Sequence, residues 1–353
     1  MDTLLDRFCR YVQIETASAE DVEKYPSSSG QLELGKVLAE ELRALKLADV
    51  SMDENGIVIG TVPGNVAGAA TIAWLAHMDT SPEASGKNVK PNIIRNYDGH
   101  DIVLPGDPTK VIKIEECHGL AALKGKTIIT TDGTTLLGAD DKAGIAVIMT
   151  TAAHLMAHPE LRHGPIRVVF TCDEEVGRGV DKVEPAKINA ACAYTLDGEA
   201  AGELENETFS ADLAIVTITG VNIHPGLAHG RMVNAIRLAG QFLSRLPWHR
   251  LAPETTCKRD GFLHPYVIEG GVPEVKIKIL LRSFVTAELA EWAKILRTVA
   301  DSVAVEHPKA KIRVDVTKQY RNMLEHLEKD PRAVKLAAEA CRRIGSSPRG
   351  EYE

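Results

Sequence analysis

Residues 142 to 156, KAGIAVIMTTAAHLM, are apolar nearly all round. A helix with that pattern has no face to offer water, so other elements must cover it on every side. Just before it, in LLGADDKAG, stand two neighbouring carboxylates, Asp140 and Asp141. Two like charges at the edge of an apolar body are costly unless something positive sits against them. Backbone N–H groups at the start of the helix can supply part of that charge. A bound cation can supply more.

The segments around this helix alternate between strand and helix patterns, which predicts a parallel or mixed sheet covered by helices. Strand candidates are GIVIGTV (56–62), TIAWLA (71–76), IRVVFT (166–171) and ACAYTL (191–196). In GQLELGKVLAEELRALKL, Leu34, Leu38, Leu42 and Leu45 share one helical face. From about residue 208 the texture changes to period-two alternation. LAIVTIT (213–219), EVKIKILL (274–281) and KIRVDVT (311–317) read as half-buried antiparallel strands. RMVNAIRLAGQFLSRL and TAELAEWAKILRTVADSVA, the latter opened by Thr286 as N-cap, supply two helices for them. This stretch reads as a compact α+β unit inserted into the first domain. A last helix is predicted from Asp330 as N-cap and Pro331 at its first position to Gly345.

Composition narrows the partners. With 49 acidic against 41 basic residues the net charge is −8, which argues against a nucleic-acid backbone. No stretch approaches the ~20 apolar residues of a membrane span. Charges at Asp2, Asp6, Arg7 and Arg10 interrupt the N-terminus where a signal peptide needs an apolar run. The 6 cysteines are scattered without a C-x-x-C, so neither a disulfide framework nor a cysteine zinc site is expected, and a reducing cytoplasm is the predicted setting.

Four polar clusters directly follow predicted strands, where open α/β sheets build their sites. In AHMDTSP, His77 and Asp79 are two apart and point the same way on an extended backbone. The second cluster is the Asp140–Asp141 pair. FTCDEEVGRG brings Asp173, Glu174 and Glu175, and YTLDGE brings Asp197. Alone, each could be a solvated turn. Converging on one sheet edge, imidazole and carboxylates without cysteine suit Zn²⁺ or another borderline divalent metal, and a carboxylate can bridge two such ions.

Seven stretches together, AHMDTSP, TTDGTTLLGADDKAGIA, FTCDEEVGRG, YTLDGE, GELENETFSA, NIHPGLAHGRMVNA and QYRNM, resemble the peptidase T family of tripeptide aminopeptidases. These belong among the co-catalytic zinc peptidases related to aminoacylase and carboxypeptidase G. The resemblance implies an α/β catalytic domain with a mixed sheet flanked by helices, plus an inserted α+β lid domain with an antiparallel sheet and two helices. The implied boundaries are 1–207 for the first part of the catalytic domain, 208–318 for the lid and 319–353 for the return.

Residue by residue, the resemblance implies that His77 and Asp197 hold one zinc, Asp140 bridges both and Glu175 holds the second. Glu174 would be the general base that passes a proton from water to the leaving amine. Asp79 would orient the His77 imidazole, with Asp141 a neighbour and not a ligand. His224, Asn234 and Arg282 would reach toward the substrate carbonyl or carboxylate. The expected substrate is a small peptide, and the resemblance allows a homodimer through the lid. It also implies a histidine ligand to the second zinc from a glycine-rich loop beyond QYRNM, and the chain as given has no candidate after Gly345. The expectation is therefore a weakened second site and apolar surface left uncovered on the first domain. The alternatives are an impaired or non-catalytic peptide- or metal-binding homologue, or a related dipeptidase or N-acyl amino acid amidohydrolase.

Overall fold

Leu34, Leu38 and Leu42 are fully buried, as their shared helical face requires. Burying a leucine side chain contributes about 1.5–3 kcal/mol, enough to hold a helix whose other face is charged. The computed structural model describes residues 2–20, 22–117, 119–198 and 202–345. Its contacts divide the chain into two units, Met1–Gly198 and Glu199–Glu353.

The first unit runs α1 (Leu4–Val12), α2 (Ser29–Ala44), β1 (Ala48–Met52), β2 (Val58–Val62) and β3 (Ile72–His77), then four short strands, β4 (Asn92–Ile94), β5 (Ile102–Val103), β6 (Val111–Ile112) and β7 (Ile128–Thr130). It closes with α3 (Ala139–Ala157), β8 (Ile166–Thr171), α4 (Pro185–Ile188) and β9 (Cys192–Thr195). The main sheet has the order β1-β2-β8-β3-β9. β3 lies parallel to β8 and β9, whereas β2 is antiparallel to β8. His77 pairs with Thr171 in register, and the Leu196 amide donates to the Leu75 carbonyl, so the carboxyl ends of three parallel strands finish side by side.

The apolar α3 packs on α1 and β3, and Ile145, Ile148, Met149 and Ala152 are fully buried. Its cover is not complete on every side. Ala143 and Val147 stay accessible, and with Leu4, Phe8 and Ile129 they line an open groove of about 580 Å³.

The second unit holds β10 (Ser210–Thr219), α5 (Ala235–Ser244), β11 (Phe262–Gly270), β12 (Glu274–Ser283), α6 (Glu288–Glu306), β13 (Lys311–Tyr320), α7 (Leu324–Leu327) and α8 (Arg332–Arg343). Its strands form an antiparallel sheet of order β11-β12-β10-β13, separate from the sheet that contains TIAWLA. The alternation is real: Val275, Ile277, Ile279 and Leu281 are buried against Leu238 and Phe242 of α5 and Leu289 and Leu296 of α6.

One strand lies outside the sequence reading, and two helix starts differ from it. β11 carries Pro265 at a register shift on the sheet edge, which is where a strand tolerates proline, and its exposed residues show no period. Helix α6 starts at Glu288 without a side-chain cap, because the Thr286 hydroxyl is engaged with Ser210 and Glu325 instead. In α8 the helical residues begin at Arg332, although Asp330 still accepts the Arg332 amide. No helix among the described residues is long and apolar enough to cross a membrane.

Candidate metal centre

His77 ends β3 with its side chain 2% exposed. Its Nδ1 faces the Asp79 carbonyl at 3.1 Å and Asp79 Oδ1 at 3.3 Å. A proton donated from Nδ1 to that pair leaves Nε2 as the atom able to bind a cation. Around Nε2 stand Asp140 Oδ1 at 2.8 Å, Asp197 Oδ2 at 3.7 Å and Glu174 Oε2 at 3.9 Å.

Asp79 is fully buried and works on two elements. While one edge of its residue meets the imidazole, its Oδ1 accepts the Glu174 amide and its Oδ2 the Glu175 amide, both at 3.0 Å. One side chain thus ties the end of β3 to the loop that carries both glutamates.

The two aspartates in the first turn of α3 face opposite ways. Asp141 is buried, accepting the backbone N–H of His77 through Oδ2 and that of Gly144 through Oδ1. Asp140 leaves 70% of its side chain exposed toward the cluster. Gly144 lets α3 approach the end of β9: a Cβ there would lie 2.1 Å from the Leu196 carbonyl oxygen. That close approach carries Asp197, the next residue, to the imidazole.

Electrostatics gives the donor set its meaning. Asp79, Asp140, Asp141, Glu174, Glu175 and Asp197 surround a single imidazole. Burial and then the Asp140 charge push Asp197 and Glu175 each up to about 7, and burial also raises Glu174. Asp141 rises to about 8 through burial and the Asp197 charge. Burial opposes charge on His77, but hydrogen bonds to Asp140 and Asp79 outweigh it and raise the imidazole to about 11. The cluster is short of positive charge. Lys142 does not supply it, since its ammonium is buried against the Ile14 carbonyl at 2.7 Å and burial lowers it to about 8.

Two sets of donor atoms converge within 4.8 Å: His77, Asp140 and Glu175, and His77, Asp141 and Asp197. Because both Asp141 oxygens are taken by backbone amides, Asp140 is the better donor beside Asp197. Oxygen donors with one imidazole suit a divalent cation. His77, Asp140, Glu175 and Asp197 all lie in these two groups, together with Asp141, which the sequence reading left out of the donors.

The remaining predicted residues lie in the second unit, each in a local role. His224 is exposed and its Nδ1 accepts the Gly226 amide. Asn234 caps α5 by accepting the Ile236 amide. Arg282 donates to Gln319 and stacks over the Tyr320 ring. Sequence reasoning missed Gln31 and Ser27, which bind Asp173 from a segment more than 140 residues away in the chain; no local spacing marks them.

A mixed sheet whose parallel strands end in an imidazole and carboxylate cluster defines a hydrolase of the metal-using peptidase class. Within that class the chain belongs to the peptidase T family. It is 44% identical over 347 residues to the peptidase T of Geobacillus kaustophilus (strain HTA426), covering 98% of this chain and 84% of that one. It is 42% identical over 349 residues to the peptidase T of Bacillus subtilis (strain 168), with 99% and 85% covered. Residues 206–310 match the family described as peptidase dimerisation domain, and residues 119–228 the family described as M42 glutamyl aminopeptidase. The fold is that of aminopeptidase PepT from Bacillus cereus ATCC 10987 (TM-score 0.72, 23% identity, 99% of this chain and 84% of that one). It is shared with a tripeptidase from Staphylococcus aureus subsp. aureus Mu50 (TM-score 0.74, 24% identity, 99% and 83%). A more distant neighbour is YXEP of Bacillus subtilis, a dinuclear metal binding peptidase from the M20 family (TM-score 0.58, 17% identity, 98% and 83%).

Proposed function

We propose that this chain is a tripeptide aminopeptidase that uses two divalent ions, zinc being the ion the donor set suits best, to release the N-terminal residue. The observation that carries this reading is the convergence of Asp140, Asp197, Glu174 and Glu175 on His77 Nε2. His77 and Asp197 would hold one ion, Asp140 both, and Glu175 the second. Ions bound there would polarise the scissile carbonyl and make a water more acidic.

The chain's own groups do the rest. Glu174, its carboxyl raised by burial, would take a proton from the attacking water and return it to the leaving amine. Asp79 fixes the imidazole and, through two amides, the position of Glu174. His224, Asn234 and Arg282 would reach toward the substrate carbonyl or carboxylate, a carboxylate being suited to the Arg282 fork once it leaves Gln319.

The domain division 1–207, 208–318 and 319–353 belongs to the same proposal. The separate sheet of the second unit supports the first boundary, whereas the contacts keep residues 319–353 with the second unit and β13 runs on to Tyr320. The match of residues 206–310 to a dimerisation domain supports pairing of two copies through this unit. Six free cysteines suit a reducing cytoplasm.

The test is hydrolysis of an unblocked tripeptide, a dipeptide and an N-acyl amino acid by zinc-loaded protein. Release of the N-terminal residue from the tripeptide, abolished by a chelator, is the expected result. Faster turnover of the dipeptide or the acylated substrate would reassign the activity within the class.

A further inference from the structure

Asp173 stands between β8 and the two glutamates the site uses, yet its side chain points away from them. It is fully buried, and its φ of +59° places it in the left-handed region, where aspartate and asparagine are among the few tolerated side chains. The carboxylate accepts the Ser27 amide at 2.8 Å, the Ser27 hydroxyl at 2.6 Å and Gln31 Nε2 at 2.7 Å. Gln31, also fully buried, returns the contact: its Oε1 accepts the Asp173 amide at 3.0 Å. Beyond the turn, the Arg178 amide donates to the Asp173 carbonyl, and the Arg178 guanidinium donates to the Val22 and Lys24 carbonyls.

The three successive amides of residues 173, 174 and 175 therefore have side-chain acceptors, Gln31 for the first and Asp79 for the next two. One acceptor comes from α2 and the other from the end of β3, so the loop is gripped on two sides before any ligand arrives. We propose that Asp173, Gln31 and Ser27 form a positioning latch that sets how Glu174 and Glu175 enter the metal centre. This rests on the roles given to those glutamates above. None of the three latch residues is assigned to metal or substrate; they act through the backbone of the loop. A displacement of about 1 Å in a catalytic group can cost on the order of 10²-fold in rate, so a latch of this kind has a kinetic signature distinct from its contribution to folding.

Hydrogen-bond polarity supplies the test. In Asp173→Asn the new NH2 must face a donor in either orientation, the Gln31 NH2 or the Ser27 backbone N–H, and turning Gln31 over only points its NH2 at the 173 backbone N–H. In Gln31→Glu two carboxylates face each other. The double variant D173N/Q31E restores the pattern with inverted polarity: the glutamate introduced at 31 accepts from both the 173 amide and the asparagine NH2, the asparagine oxygen accepts the Ser27 amide, and the Ser27 hydroxyl turns to accept from the asparagine NH2. Each single variant should lower kcat on a tripeptide by about 10- to 100-fold with KM within about twofold, and the double should return to within about threefold of the parent. Competition against a chromophoric zinc chelator should show the same order, with zinc affinity weakened by about tenfold in the singles and recovered in the double. Ser27→Ala removes the hydroxyl that donates to Asp173 and accepts the Ala19 amide, and disturbs the fold least of the three; it should cost about three- to tenfold in kcat with only a small fall in melting temperature.

Parent-like kcat and zinc affinity in Ser27→Ala together with either folded single variant would overturn the latch. So would a double variant as impaired as its two singles combined. If the parent hydrolyses no tripeptide, the functional reading fails by itself, and the chelator competition still decides the latch.

Discussion

Glu174 and Glu175 are adjacent and chemically alike, and their environments separate them. Glu174 lies 3.9 Å from His77 Nε2 with 55% of its side chain exposed, whereas Glu175 belongs to the donor set of His77 and Asp140. Replacing Glu174 by Gln keeps the shape and removes the proton acceptor. Glu174→Gln should bind zinc as the parent does and lose about 10²–10⁴-fold in kcat, the usual contribution of a general base. Zinc loss alongside activity would mean that the two glutamates exchange roles. Most of this centre is legible in the sequence because its acids follow strand patterns, and the two-residue spacing places His77 and Asp79 on one side of an extended backbone. Gln31 is not legible. It is an uncharged residue of a helix face otherwise read through leucines, and only the fold brings it to Asp173.

At the scale of elements, α3 meets the end of β9 through a glycine. Alanine is favoured over glycine inside a helix by roughly 0.5–1 kcal/mol. At Gly144 the added Cβ would lie 2.1 Å from the Leu196 oxygen and 2.3 Å from Asp141 Oδ1, and overpacking of that kind costs about 1–3 kcal/mol. The second effect wins. Gly144→Ala should lower the melting temperature and weaken zinc binding together, because the displaced atoms brace His77 and precede Asp197. A variant more stable than the parent would show that α3 shifts freely at its start. The strand periods were readable where one face is buried: in β12, Val275, Ile277, Ile279 and Leu281 alternate with Lys276 and Lys278. On the edge strand β11 Leu263 alone is buried, so burial imposes no alternation along it. The start of α6 departs from its sequence pattern for another reason, since a hydroxyl suited to capping is claimed by distant partners, Ser210 and Glu325.

For the whole molecule, the acid cluster links stability to pH and to metal. Asp197 and Glu175 titrate near 7 when folded, well above the usual carboxylate range, so between about pH 4 and 7 the metal-free folded chain holds protons that the unfolded chain has released. Their contribution to stability is complete below about pH 4 and is lost as pH rises through 7. The His77 imidazole, raised to about 11, likewise contributes below its unfolded value near 6.5 and loses that contribution as pH climbs toward 11. A divalent ion needs these groups deprotonated, so binding must release protons, and the stabilisation by a fixed concentration of ion must grow with pH. The two ions should also differ. One would have His77, Asp140 and Asp197, while the other, among the described residues, would share Asp140 and add Glu175, because a single Nε2 serves one ion. Zinc titration of metal-free protein should therefore show a tight step and a weaker step, release more protons at pH 6 than at pH 8, and raise the melting temperature more at pH 8. Two steps of equal affinity would require a donor outside this set. A melting gain independent of pH would mean that the carboxyls are already ionised and that the cluster meets its charge deficit without metal.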